Sequence, residues 1–417
     1  MRALVISDTH FGAWTGEDIL REPDTLALLE PHLDVDEIIF LGDMFDFLFA
    51  PMRDAFSAAG PLLDLLRDKL QGKRFVFLAG NHDHFLVRRK GDELVELEVA
   101  TGESSEELRG EVRRIDFFRR FLERRLDGVE VDIRYPTYTF AGVLCTHGHY
   151  LDFHARRSGA APGRLLARAL WSIAVGGQEH MPTTDDYEAT ITMLTGLLFL
   201  VAQLPNGTQA QQRAFTAFQA LSRAVRVGAA PVRTVEHASN LVASLIGAQT
   251  RAARRIRSVT SQAEVAGYHG AMLQEAQRRQ ETGAPAGGEV ANLAFARVVR
   301  ASDPSGPAID AFEKVVTNLG WARDTDKIVF AHTHQPLDGV TTRGGNVRYW
   351  NTGSWIYEPA LSSHEAYVGY LTNAWPGTAV LIDSDEANPR LLKIRAHLNP
   401  LYRGGAVDNR EGARTGS

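Results

Sequence analysis

The chain has 417 residues, of which 44% are hydrophobic, an ordinary content for a globular protein at a length that favours two domains over one. A formal charge of −6 gives no global attraction to nucleic acid. A single cysteine excludes an internal disulfide framework and fits a reducing cytoplasm.

Taken in chain order, the run Ala3–Ser7 reads as a strand. It is too short for a signal peptide and leads at once into Asp8-Thr9-His10, so a cytoplasmic location is expected. Ile38–Leu41 repeats the pattern and delivers Gly42-Asp43-Met44-Phe45-Asp46. Between Gly60 and Gly72, the segment Pro61–Leu70 is apolar at Leu62, Leu63, Leu65, Leu66 and Leu70 and predicts a helix. Phe75–Ala79 is the next strand, ending in Gly80-Asn81-His82-Asp83. Glu111–Asp127 is a predicted helix with Ile115, Phe118, Leu122 and Leu126 on one face and arginine pairs opposite. Val129–Tyr135 and Thr137–Cys145 read as a hairpin around Pro136, leading into His147-Gly148-His149. Cys145, in that apolar run, reads as a core residue. Ile328–Ala331 precedes His332-Thr333-His334, and further strands are predicted at Val347–Trp350, Ala366–Leu371, Thr378–Ile382 and Leu391–Ile394. Asn351-Thr352-Gly353-Ser354-Trp355 reads as a tight turn near the last motif, and residues 403–417 as a disordered tail.

Residues 151–320 differ from the rest. They are rich in Ala, Leu, Gln and Arg and predict four to six helices, broken at Pro205-Asn206-Gly207, Gly228–Pro231 and Gly283–Gly288. They hold 17 basic and 13 acidic residues against 28 and 38 in the remainder. This insertion begins and ends beside the last two motifs, so it is expected to form a cap over them, with 1–150 and 321–402 forming the core. Within it Arg251, Arg254, Arg255 and Arg257 are dense enough to suggest phosphate contact; elsewhere arginine is read as a solvated face. Ala189–Leu204 is nearly apolar but shorter than a spanning helix needs, and is read as a packed helix or an acyl-chain surface.

The five polar motifs each follow a strand-like run, which is how an α/β sheet brings side chains to one rim. Taken singly, an Asp-x-His or His-x-His is more often a surface or core pairing; five at strand ends carry a different weight. Asp8, His10, Asp43, Asn81, His147, His332 and His334 give seven nitrogen and oxygen ligands without cysteine. One zinc would need three or four. Seven suit two cations with a shared carboxylate, roughly 3.5–4 Å apart, as in phosphoryl transfer. Manganese is the expected metal; iron, zinc, nickel and cobalt suit the same ligands.

With these motifs the chain resembles the calcineurin-like metallophosphoesterases over residues 1–150 and about 321–400. The resemblance implies an α/β fold, a β-sandwich core flanked by helices, carrying here a large α-helical cap insertion. It implies that Asp8, His10, Asp43 and His334 hold one metal, and that Asp43, Asn81, His147 and His332 hold the other, with Asp43 bridging. His82 matches the catalytic histidine that assists the leaving group, and Asp46 the carboxylate orienting it. The implied reaction is attack of a metal-activated hydroxide on phosphorus, hydrolysing phosphate esters or pyrophosphates. Ala331 stands where the family usually has glycine.

Asn351–Trp355, His334-Gln335-Pro336 and the position of the insertion are also similar to the UDP-2,3-diacylglucosamine pyrophosphatase-like branch, whose insertion holds acyl chains. That branch commonly has arginine where this chain has His82. The expected substrate is therefore a small or lipid-linked phosphate compound, such as a nucleotide-diphospho compound, with contact at the inner membrane face allowed. The alternative is a phosphodiesterase or nuclease acting on nucleic acid or cyclic nucleotides. Against it stand the acidic core and the lack of an aromatic-basic stripe. His149 and Asp152 are further candidates, for substrate contact or for support of the ligands. His84 and His154 are read as packing or surface histidines. The oligomeric state is not legible.

Overall fold

A computed structural model describes residues 1–13, 17–48, 50, 52–86, 114–154, 183–184, 186–188, 307–342, 345–357 and 364–402. Its strands are β1 (Arg2–Ile6), β2 (Glu17–Asp18), β3 (Glu37–Leu41), β4 (Arg74–Leu78), β5 (Glu130–Arg134), β6 (Thr137–Phe140), β7 (Val143–Thr146), β8 (Lys327–Phe330), β9 (Leu337–Thr341), β10 (Arg348–Asn351), β11 (Ile356–Tyr357), β12 (Thr378–Asp383) and β13 (Arg390–Lys393). The helices are α1 (Pro23–Leu29), α2 (Met52–Ala58), α3 (Gly60–Lys69), α4 (Arg114–Arg125), α5 (Leu151–His154), α6 (Pro307–Leu319) and α7 (His364–Asn373).

Two sheets carry the fold. One has the order β13-β12-β1-β3-β4-β5 and the other β6-β7-β8-β10-β9. β1, β3, β4 and β5 run parallel, as do β7, β8 and β10. Parallel strands covered on both faces read as unbroken apolar runs, and Ala3–Ile6, Ile38–Leu41 and Phe75–Leu78 do. Alternate residues sort to opposite faces. Ala3, Val5, Ile39, Leu41, Val76 and Leu78 meet Cys145, Val329, Ala331 and Trp350 of the second sheet, so the interior is a sandwich. Leu4, Ile6, Ile38, Phe40, Phe75 and Phe77 face the helices, packing with Leu62, Leu66, Phe118 and Leu122. On the outer face of the second sheet, Phe312 and Val315 of α6 join Phe330 and Tyr349, the Phe312 and Phe330 rings stacking at 4.3 Å.

Two sequence expectations are corrected. β5 and β6 do not form a hairpin around Pro136: β5 joins β4 in the first sheet, and β6 pairs antiparallel with β7 in the second. The real turn is Ala141-Gly142, both at positive φ (47° and 76°), which a tight two-residue turn requires. Pro136 lies where the chain passes between sheets. Residues 366–371 are helical, not a strand. Neighbours Tyr370 and Leu371 are both buried, which suits a helix stripe and not an alternating strand face.

Most of the expected insertion, including Ala189–Leu204 and Arg251, Arg254 and Arg255, lies outside the described residues, as do residues 403–417. Among those described, no helix is long and apolar enough to cross a membrane.

Candidate metal centre

Each motif begins where a strand ends, and the two sheets bring their ends together. The loop after β1 is laced to the loop after β3: Asp8 N–H donates to Gly42 O at 3.1 Å, His10 N–H to Asp43 O at 3.0 Å and Phe11 N–H to Met44 O at 2.9 Å. The turn Asn351–Trp355 closes the same rim, with Trp355 N–H on Asp8 O at 2.9 Å and Asn351 Nδ2 on Ala331 O at 2.9 Å. Among the described residues, six other than glycine have positive φ, and five are Asp8, His10, Asp43, His332 and His334. Such backbone costs free energy and persists where the surrounding structure over-determines it.

The expected ligand side chains form two groups, and a third group joins His10 to Asp46 and His82. Asp8, His10 and His334 make one, and Asp43, His147 and His332 the other, with ligand atoms within 4.8 Å of one another in each. In the first, His10 Nε2 and His334 Nε2 are 3.2 Å apart. Asp8 Oδ2 accepts from Ser7 Oγ at 2.5 Å and from His332 N–H at 3.2 Å, whereas buried Oδ1 faces His334 Nε2 at 3.2 Å. In the second, His147 Nε2 lies 3.2 Å from Asp43 Oδ2 and 3.3 Å from Asn81 Oδ1. His147 Nδ1–H donates to Leu41 O at 2.8 Å, which fixes the ring and turns Nε2 toward Asp43 and Asn81. His332 Nε2 lies 3.2 Å from Asp152 Oδ1.

Close approach is bought by glycine at two points. A Cβ at Gly42 would stand 2.4 Å from His147 Nδ1, and one at Gly80 2.2 Å from Asp43 Oδ1. Electrostatics prepare the same groups. Burial pushes Asp43 up, yet His147 and His82 outweigh it and hold the carboxyl well below its ordinary value. Asp8 is likewise lowered, by His334 and His147 against burial. Burial, helped by His82, brings His10 down to about 4, so it is a neutral imidazole at neutral pH. A buried carboxylate oxygen facing an imidazole nitrogen at 3.2 Å, two imidazole nitrogens 3.2 Å apart, and a fixed histidine ring fit divalent cations of the nitrogen- and oxygen-preferring kind.

Between the groups, His82 Nδ1 meets Asp46 Oδ1 at 2.8 Å, and Asp43 Oδ1 accepts His82 N–H at 2.7 Å. The calcineurin-like phosphoesterase family model matches residues 1–190. Residues 1–190 of the chain carry a calcineurin-like phosphoesterase domain. It is thus a metal-dependent phosphoester hydrolase. No curated protein matches the chain.

Sequence reasoning gave no role to two residues of this phosphoesterase site. Asp83, fully buried, receives Gly80 N–H at 2.7 Å and Asp43 N–H at 3.3 Å on one oxygen, and Met44 N–H at 2.8 Å and Phe45 N–H at 3.3 Å on the other. It pins the second motif to the third; its place inside Gly80–Asp83 was the available signal. Glu188 pairs with His84 Nε2, so His84, expected at the surface or in packing, is a buried member of a polar network. Nothing in the local pattern marks Glu188. His149 is buried beside His147, ring centres 5.3 Å apart. Cys145 is buried in β7 with its thiol pushed up by burial, so it is no nucleophile.

Proposed function

We propose that this phosphoesterase uses two divalent cations, manganese first among them, to hydrolyse a phosphate ester or pyrophosphate of a small or lipid-linked compound. Asp8, His10, Asp43 and His334 would hold one cation, and Asp43, Asn81, His147 and His332 the other. The observation that carries this reading is the pair of His/Asp groups at one rim with His82–Asp46 beside them. When bound, such a pair lowers the pKa of water and neutralises charge on phosphoryl oxygens.

The chain's own residues supply the rest. Asp46 holds His82 by Nδ1, which places Nε2 on the opposite edge of the ring as the donor to a departing oxygen. The backbone of His82 is held in turn by Asp43, so acid and shared carboxylate move as one unit. The segment between the fourth and fifth motifs is the proposed source of substrate selectivity, with Arg251, Arg254, Arg255 and His149 as contacts. A cytoplasmic site of action facing the membrane suits a lipid-linked substrate.

The test is hydrolysis by metal-free protein re-supplied with manganese, on bis-p-nitrophenyl phosphate, p-nitrophenyl phosphate and a soluble nucleotide-diphospho analogue. Manganese-dependent cleavage of the diphosphate well above the aryl esters supports the pyrophosphatase reading. Turnover of the aryl diester alone replaces it with a phosphodiesterase.

A further inference from the structure

Beside the two metal groups lies a separate buried polar cluster centred on a carboxylate. Glu188 Oε1 accepts hydrogen bonds from the hydroxyls of Tyr135 and Tyr150, and Oε2 pairs with His84 Nε2. Burial opposes a charge there, but His84, His149 and Tyr135 outweigh it and bring Glu188 down to about 2. The carboxylate is held from behind. Its neighbour Tyr187 is fully buried, stacks on Tyr150 with ring centres 5.0 Å apart, and bonds His154 Nε2 at 2.7 Å and Asn318 Nδ2 at 3.0 Å.

The partners of Glu188 come from three stretches of chain. His84 follows directly on Asn81-His82-Asp83, Tyr135 follows β5, and Tyr150 follows His147-Gly148-His149. Having donated its proton to Glu188, the Tyr135 hydroxyl has lone pairs for His149 Nε2, 3.4 Å away. The His149 ring lies 5.3 Å from that of His147 and 6.4 Å from that of His332. One carboxylate thus reaches the turn bearing Asn81 and the turn bearing His147, and both turns serve the same proposed cation.

We infer that Glu188 is a positioning residue: it ties the chain between the fourth and fifth motifs to the rim and, through His84, Tyr135 and Tyr150, fixes the geometry of the second cation position. This rests on the two-cation reading. Groups that orient ligands without touching the metal contribute about 10- to 100-fold in affinity, and Glu188 acts one step further out.

The experiment is titration of metal-free, full-length protein with manganese, with free ion followed by electron paramagnetic resonance and fold checked by circular dichroism. Wild-type protein is expected to take up two ions. In Glu188→Ala the first ion should bind as in wild type and the second about tenfold more weakly, with kcat falling and KM little changed. Glu188→Gln, which keeps an acceptor for the tyrosine hydroxyls, should restore most of the second affinity. Equal weakening of both ions, or wild-type affinity for both in Glu188→Ala, overturns the inference. Should Glu188→Ala not fold, Tyr135→Phe carries the test: a weakened second ion supports the inference, and wild-type affinity for it overturns the inference. A wild-type protein that takes up one ion overturns the two-cation reading itself.

Discussion

His82 and Asp46 form a 2.8 Å pair between Nδ1 and Oδ1, with His10 standing edge-on to the same imidazole, ring centres 4.6 Å apart. Burial would drive the proton off His82, but the Asp43 and Asp46 carboxylates outweigh it and hold the ring up at about 9. In the metal-free protein the imidazole therefore carries its proton at neutral pH, the form that the proposed donor to a leaving oxygen needs.

Replacing Asp46 with Asn removes one of the charges that raise His82, so its pKa should fall. The alkaline limb of the kcat profile should then move to lower pH, and turnover of alkyl phosphates should drop about 100-fold. Activated aryl phosphates, which leave unaided, should lose much less. An unmoved limb, or equal losses on both substrate types, would count against the acid role.

Metal loading should release protons. Burial lowers His147, but Asp43, by charge and hydrogen bond, lifts it to about 9. Below that pH a proton competes for the nitrogen a cation needs, so apparent affinity should climb with pH up to about 9 by as much as tenfold per unit. Calorimetry at pH 7.5 in buffers of different ionisation enthalpy should show roughly one proton released at this position. Binding heats independent of buffer would contradict the assignment of His147.

Gly80→Ala should disable the site without unfolding the protein. The added Cβ would meet Asp43 Oδ1 at 2.2 Å and His147 Nε2 at 2.7 Å, both held by neighbours. Displacement of that order costs about 100-fold in rate. Circular dichroism should match wild type while kcat/KM falls by at least that factor; full activity would sink the packing argument.

Asp83→Ala should cost stability directly. Four backbone N–H groups lose their acceptor in a buried turn, and one buried unsatisfied donor costs about 1–3 kcal/mol. With partial relaxation the expected loss is about 3–5 kcal/mol in urea unfolding of the metal-free protein. A loss under about 1 kcal/mol would mean that the turns hold without it.

The sandwich and the gathering of the polar motifs at one rim were legible because their signals are local. Ala3–Ser7, Ile38–Leu41 and Phe75–Ala79 are apolar throughout, as parallel strands covered on both faces must be. A polar motif after such a run can only sit at a strand end. What failed depended on partners far along the chain. Pro136 looked like a hairpin tip because nothing near it says that β5 pairs with β4 while β6 pairs with β7. The run Ala366–Leu371 has the composition of a strand, and burial of adjacent Tyr370 and Leu371 decides otherwise. Glu188 gains its role from His84 and Tyr135, 104 and 53 positions away.

The position of β1 bears on how the protein is made. β1 is inside its sheet, with β3 on one side and β12 on the other, Leu4 facing Ile38 and Leu381. During synthesis β3 emerges soon after β1, and β12 only after every other strand of the two sheets but β13. Until then the first strand presents an unpaired, apolar edge, the kind that recruits other chains. Long-range closures of this sort also form slowly. The nascent chain therefore faces an aggregation hazard at the strand that leads into Asp8, and shielding of that edge by a chaperone should raise the yield of active enzyme.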